Sequence, residues 1–358
     1  VFSVDLWNVF AGRTKSELNY RENVIMKAVT FQGLHTPLAF DNVPDPNPGE
    51  GELVVKVGRC GICGSDLHMT EDAAYGCKHG DVLGHEFAGE VVALGKNTTG
   101  QKVGDLVSVI PLKSCGTCEY CRRGEVQWCA NFGLQGGGYA EYAVTRPNQC
   151  VTLPRDLTLA DGAIIEPLAV ALHGVNLSGM KTGDKVLVLG AGPIGLAVAF
   201  WAKRYGAGKV ALQDISSWQE KRALDMGADA FVVDPEHPVE SAERGLGGKA
   251  DIVFECVGIP GLIDQAVRQV RPDGSIVLLG LCTKPDTFNS FAMLSKQVKL
   301  ITSAFFTVQE YEAALAALEQ GAVEPRLLVT DTISLSDTPD VFESLKRRTA
   351  QCKVLIAP

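Results

Sequence analysis

Cys115, Cys118, Cys121 and Cys129 follow one another as C-x-x-C-x-x-C-x7-C, so one short stretch can bring four thiolates onto a single tetrahedral zinc. Four thiolates close the coordination sphere and leave no position for substrate. Such a zinc is structural, and the loop over 113–130 would need it to fold. The plain alternative, four unliganded thiols, fits poorly, because apolar burial accounts for one or two cysteines and not for four at this spacing around Gly116 and Gly124. A second set of ligand types is scattered: Cys63 in GICGSDLH, His85 and Glu86 in GHE, and Glu166 ahead of Pro167. A thiolate, an imidazole and two carboxylates can supply three protein ligands and leave a fourth position open. No local spacing requires that they meet. Singly, Glu86 reads equally as a surface carboxylate, His85 as a hydrogen-bonded core histidine and Glu166 as a residue at a helix start.

Further along, VLVLGAGPIG sets Gly190, Gly192 and Gly195, with Pro193 and Ile194 between them, in G-x-G-x-x-G after an apolar strand and at the opening of a helix. The first glycine permits the tight turn, the second lets backbone approach a pyrophosphate, and the third lets helix pack on strand. Asp214 ends the next strand-like run, KVALQD, nineteen residues after Gly195. A carboxylate there would accept both ribose hydroxyls of NAD and repel the 2′-phosphate of NADP. Its plain alternative is to cap the helix of SSWQEK. An open metal site and a dinucleotide turn in one chain imply metal-assisted hydride transfer.

These groups need a scaffold, and the chain changes pattern twice. From 26 to 169, short runs such as MKAVTF, GELVVKVG, FAGEVVALG and YAEYAVT, separated by Gly, Pro and Asn, predict a folded-over antiparallel domain. From 170 to 299, apolar strands alternate with helices, which predicts a doubly wound parallel sheet. Mixed elements over 300–358 are expected to return to the first domain, making an α/β protein of two domains. Residues 1–25 lack an apolar core and a small-residue cleavage site, so they read as an N-terminal extension and not a secretory signal.

With 358 residues, 46% hydrophobic and 21% charged, the chain can bury two or three cores. A formal charge of −9 disfavours nucleic acid and anionic membrane as partners. No apolar run reaches the roughly eighteen residues of a membrane span. Eleven cysteines, an odd number clustered at ligand spacings, point to a reducing compartment and a cytoplasmic protein.

GICGSDLH, GHEFAGEVVALG, CGTCEYCRRG, GGYAEY, EPLAVALH and VLVLGAGPIG, in that order, resemble the zinc-dependent medium-chain alcohol dehydrogenase family, and the EPL form is similar to its polyol (sorbitol) and butanediol branch. The resemblance runs from Met26 to Pro358. It implies a GroES-like catalytic domain with a Rossmann domain inserted between its halves, two zincs per chain, NAD, and a homodimer or homotetramer. It also implies that Cys63 and His85 hold the catalytic zinc, with Glu166 as third protein ligand and Glu86 behind it or exchanging with water during turnover. The proton relay would fall on Ser65 and His68, and the nicotinamide contacts on Val257, Leu279, Leu281 and Phe305. Cys60, three residues early, and Cys77, Cys150, Cys256, Cys282 and Cys352 would be core or surface thiols. Zinc in the open site would act as a Lewis acid that lowers the pKa of an alcohol hydroxyl, and hydride would pass to NAD.

Four departures bear on substrate and cofactor. Phe306 stands where polyol enzymes carry an arginine, and Met69 where a tyrosine often follows the histidine. Losing a charged donor and a hydroxyl from the pocket would favour an apolar secondary alcohol or a small vicinal diol over a sugar alcohol. Gln219 replaces an arginine that often assists the adenosine ribose, and the segment from Met69 to Gly84 is shorter than in butanediol enzymes. Alternatives are a polyol or L-threonine 3-dehydrogenase of the same family, a non-catalytic NAD(H)- and zinc-binding sensor, and a zinc-ribbon protein. The last is disfavoured because Arg122 and Arg123 are the only basic pair near the ribbon.

Overall fold

The structure, a computed structural model, describes residues 25–347 and 349–358. The expected extension over 1–25 lies outside the described residues except for Ile25, which opens the strand Ile25–Thr30.

One sheet is wholly parallel. Its six strands lie in the spatial order Ala230–Val232, Lys209–Gln213, Lys185–Leu189, Ala250–Glu255, Val270–Leu278, Lys299–Thr302. The central strands are apolar because helices such as Pro193–Arg204 and Leu262–Gln269 cover the sheet; Val186, Leu187, Val188 and Leu189 are all buried. Strand order reverses on the two sides of Lys185–Leu189, so a crevice opens at the carboxyl ends of that strand and Ala250–Glu255.

The second sheet is mainly antiparallel and runs Val329–Ser334, Lys353–Ala357, Leu53–Gly61, Glu86–Leu94, Leu106–Val109, Cys150–Thr152, with Tyr142–Thr145 added to Leu53–Gly61. Its last strand in sequence pairs with Leu53–Gly61 through Leu355 with Gly61 and Ile356 with Cys60. The carboxyl end of the chain thus lies beside residues near its start.

Helix Leu159–Leu177 packs on both sheets. It starts with a reciprocal cap, Thr158 accepting from the Asp161 amide and Asp161 from the Thr158 amide, and is buried nearly all round. The expected limits at 169/170 and 299/300 fall inside this helix and inside strand Lys299–Thr302. An apolar helix shared by two cores shows no compositional break at which to divide it. Glu166 sits in its middle, not at its start, and Pro167 is inside it.

Candidate active site

Cys63 precedes the short helix Gly64–Met69, and its amide donates to Asp66 Oδ2 at 3.1 Å. His85 and Glu86 enter the neighbouring strand Glu86–Leu94. Ligand atoms of Cys63, His85 and Glu86 all lie within 4.8 Å of one another. Glu166 is not part of that close group but is buried near enough to feel the charges of His85 and Glu86, while Glu86 completes the trio. The physical reason is Gly61, on the paired strand, where a Cβ would stand 2.0 Å from Glu86 Oε2, so only glycine lets the carboxylate turn inward.

Each member of the trio has a buried partner. Asp66 Oδ1 lies 3.1 Å from His85 Nδ1, which leaves Nε2 toward Cys63, and Tyr139 donates to Asp66 Oδ2 at 2.6 Å. Burial alone would lower the His85 pKa, but the Asp66 carboxylate overrides it and raises it well above the usual range. Burial likewise works against Asp66, and the imidazole beside it, with help from Tyr139, still holds its carboxyl below the usual range. Lys353 Nζ lies 2.7 Å from both oxygens of Glu86 but is aligned for a hydrogen bond only with Oε1. Oε2 is therefore a buried carboxylate oxygen without a donor, which fits a cation in the trio. Burial opposes the Lys353 charge, and Glu86 and Cys63 raise its pKa despite it. Glu166 is pushed up to about 7, first by burial and then by Glu86, with His85 opposing.

Ser65 Oγ donates to Cys63 Sγ at 3.2 Å and lies 3.5 Å from His85 Nε2, so its hydroxyl borders the trio. His68, one turn on in the same helix, is exposed. Asp66, Tyr139 and Lys353 were missed from sequence. Asp66 carried a signal, an acid three residues after a candidate ligand, and Lys353 a weaker one, a lone charge in the apolar run KVLIA.

At the dinucleotide turn, Gly190 has φ 93°, and a Cβ on Gly195 would meet Gly190 O at 1.9 Å. A Cβ on Gly192 would meet nothing within 4 Å, and helix Pro193–Arg204 begins there with Ile194 in its first turn. Bare backbone opening onto a helix start is a cradle for a phosphate. Asp214 follows the strand instead of ending it; its Oδ2 accepts from Ala191 N at 2.9 Å and its Oδ1 from Ile215 N at 2.7 Å. The helix of SSWQEK starts only at Glu220, so Asp214 does not cap it.

Val257, Leu279 and Leu281 gather at the ends of adjacent parallel strands. A Cβ on Gly190 would meet Val257 at 2.5 Å, and one on Gly258 would meet Leu281 O at 2.3 Å. Leu279 packs on Gly174, where an added Cβ would lie 2.8 Å from it. Phe305, with φ 59°, packs its ring against Phe132 at 5.0 Å. Phe306 and Met69, expected in the pocket, are instead core: Phe306 is fully buried against Tyr311, and Met69 packs in the antiparallel domain. Gln219 turns to the returning segment and donates to Ala350 O at 2.9 Å.

The four cysteines form a separate lobe. Their sulfurs lie within 4.8 Å of one another, around the helix Glu119–Arg122 and above the two-residue ladder of Leu112–Lys113 with Gly133–Leu134. Amides of Thr117 and Cys118 point at Cys115 Sγ, at 3.5 and 3.3 Å, and those of Cys115 and Asn131 at Cys129 Sγ, at 3.3 and 3.4 Å. The Thr117 amide and hydroxyl lead in pulling the Cys115 thiol down to about 5, while burial and the neighbouring Cys118 push the Cys121 thiol up to about 11. Cys60 is a buried thiol wedged against Gly84 and Gly138, as expected.

Two family models match the chain: Alcohol dehydrogenase GroES-like domain over residues 49–155 and Zinc-binding dehydrogenase over residues 193–320. Sorbitol dehydrogenase of Halalkalibacterium halodurans is 34% identical over 332 residues, covering 89% of this chain and 95% of that protein. The chain belongs to the zinc-dependent medium-chain alcohol dehydrogenases. Among solved structures of this family, a zinc-binding dehydrogenase of Sinorhizobium meliloti bound to NADP superposes with TM-score 0.85 at 32% identity, covering 94% of this chain and 100% of that one. The 2R,3R-butanediol dehydrogenase of Bacillus subtilis superposes with TM-score 0.83 at 29% identity, covering 93% and 99%. The chain is therefore an oxidoreductase of the polyol dehydrogenase-like branch, with zinc and a nicotinamide dinucleotide as cofactors and a small alcohol as substrate.

Proposed function

We propose that Cys63, His85 and Glu86 hold the catalytic zinc, that Cys115, Cys118, Cys121 and Cys129 hold the structural one, and that the enzyme oxidises a secondary hydroxyl of a vicinal diol or polyol with NAD. The observation that carries this is the buried trio with a donor-free Glu86 oxygen and the Ser65 hydroxyl at its border. When bound, zinc supplies Lewis-acid polarisation of the alcohol oxygen and NAD accepts the hydride. Asp66 fixes the His85 ring, and Lys353 donates to Glu86 Oε1 and fixes the carboxylate's orientation. Ser65 would accept the departing hydroxyl proton at Oγ while handing on its own, and His68, exposed one turn on, would release a proton to water. Val257, Leu279, Leu281 and Phe305 form the nicotinamide wall. Asp214 supports NAD over NADP, since a 2′-phosphate beside its carboxylate would be repelled.

With Met69 and Phe306 buried in the core, their replacement of a tyrosine and an arginine carries less weight against a polyol. We place the catalytic domain over 26–158 and 303–358, with helix Leu159–Leu177 shared. A homo-oligomer would form at the edge strand Lys299–Thr302, which pairs only with Val270–Leu278. That edge strand lies beside exposed Phe291 and Leu294. No helix among the described residues is long and apolar enough to cross a membrane; a reducing, cytoplasmic setting suits the free thiols.

The test is NADH formation across simple secondary alcohols, vicinal diols and sorbitol, with zinc counted by mass spectrometry. Turnover on diols or polyols and two zincs per chain support the reading. Turnover on none of them, or equal rates with NADP, would overturn its substrate or cofactor part.

A further inference from the structure

The four-cysteine lobe also touches the segment that carries Phe305. Phe132 hangs from the end of the lobe, its amide donating to Cys129 O at 2.9 Å, and its ring meets that of Phe305 at 5.0 Å with a 58° tilt. Phe305 has φ 59°, a backbone region that bulky L-residues rarely occupy unless their surroundings hold them there. A second grip lies three residues on. Val308 N donates to Gly124 O at 2.9 Å, and Gln309 Nε2 donates to Arg123 O at 3.2 Å. Gly124 has φ 79°, a region that favours glycine, and an added Cβ there would displace the Gln309 side-chain amide. Behind Phe305, the fully buried Phe306 is locked against Tyr311, so the turn cannot relax inward.

We propose that Phe132 is a positioning residue for the cofactor site: the zinc lobe holds the 305–309 turn from both sides, and the Phe132 ring keeps Phe305 in its strained conformation against the nicotinamide. The lobe then has a second task besides its own folding. This rests on the reading of Phe305 as part of the nicotinamide wall.

The experiment is NADH binding by intrinsic-fluorescence quenching, with KM for NAD and kcat measured beside it, on zinc-replete enzyme. Phe132→Ala is expected to weaken NADH binding and raise KM for NAD by about tenfold, with a smaller change in kcat, since a small misplacement of a cofactor contact has large kinetic effects. Phe132→Leu should recover most of the loss. Glycine accepts positive φ without strain, so in a Phe305→Gly background Phe132→Ala should add little. Circular dichroism and a count of two zincs verify that each variant is folded; if Phe132→Ala does not fold, Phe132→Leu against Phe305→Gly carries the same comparison at smaller amplitude. Unchanged binding in folded Phe132→Ala, or equal losses in both backgrounds, would overturn the proposal. A wild type that fails to bind NADH at all would instead overturn the nicotinamide reading beneath it.

Discussion

The two cysteine-bearing sites are built in opposite ways. In the lobe the four ligands come from one short loop, only Cys129 among them is buried, and backbone amides face the sulfurs. At the trio the ligands are drawn from two segments, and their partners Asp66, Tyr139 and Lys353 come from three, with His85, Glu86 and all three partners buried. A site near water can be assembled from local backbone. A site taken out of water must carry its own counter-charges, because an unpaired buried charge is far more costly than an exposed one. The lobe is thus autonomous, and the trio depends on the whole catalytic domain.

The sharpest contrast comes from removing one ligand at each site. Cys63→Ala is expected to lose one zinc and at least about a thousandfold in turnover, because the open position loses its Lewis acid while the fold keeps its core. Cys118→Ala should lose the other zinc and lower the melting temperature by several degrees, with catalysis reduced less than by Cys63→Ala. Zinc counts, melting curves and kcat on the two variants decide it. If Cys118→Ala abolished turnover as fully as Cys63→Ala, the division of labour between the sites would be wrong.

Counter-charge at the trio predicts the next largest effect. Lys353→Met leaves Glu86 buried without its partner, which should cost about 3–5 kcal/mol of stability in metal-free protein. The double variant Lys353→Met with Glu86→Gln should recover much of that, since both charges are then gone. Urea unfolding of the three proteins measures it; a double variant as unstable as the single one would show that packing, not charge, is at stake. Among the described residues the lobe's ion pairs, Arg123 with Glu119 and with Glu125, lie near solvent and involve no cysteine.

What the sequence disclosed follows the same division. The lobe was legible because its spacing is its geometry. The glycine turn was legible too, since Gly190 and Gly195 are forced by backbone approach within a few residues. The trio was legible only as a set of residue types, with the choice between Glu86 and Glu166 left open. Nothing local reveals that Gly61 opens room for Glu86 or that the last strand brings Lys353 beside it. Met69 and Phe306 misled for a related reason: standing next to a site in sequence, on a helix or a strained turn, they point into the core. The shared helix Leu159–Leu177 hid the domain limit because it is apolar toward both cores.

Asp66 tests whether the trio's partners act on the metal as well as on the fold. Asp66→Asn keeps an acceptor for His85 Nδ1 but removes the charge that makes the imidazole a stronger ligand. Zinc affinity at the open site should fall about 10- to 100-fold, read by competition with a chromophoric chelator. The lobe's zinc, which has no such partner, should be retained at wild-type affinity. Parallel loss of both zincs would point to general unfolding.

The smallest effect is expected where the two regions join. Glu310 lies in the first turn of helix Val308–Glu319, beside the residues that dock the lobe, and accepts from Asn176 at 2.8 Å and lies 2.8 Å from His173, both on the helix that carries Glu166. Partial burial pushes its carboxyl up, yet His173, the Thr307 amide and Asn176 together hold it down to about 2, against an ordinary value of 4.5. A folded value below the unfolded one means that ionised Glu310 favours the native state. Its contribution is complete above about pH 4.5 and is lost as pH falls through that value toward about 2. The side chain keeps about 12% of its surface exposed, so water still screens part of the charge. Urea midpoints followed across that window should fall more steeply for wild type than for Glu310→Gln, which has no carboxylate to protonate. Equal slopes would mean that the junction draws nothing from this charge, and that it rests on the apolar packing of Phe132, Phe305 and Val308 and on the hydrogen bonds of Val308 and Gln309 to the lobe.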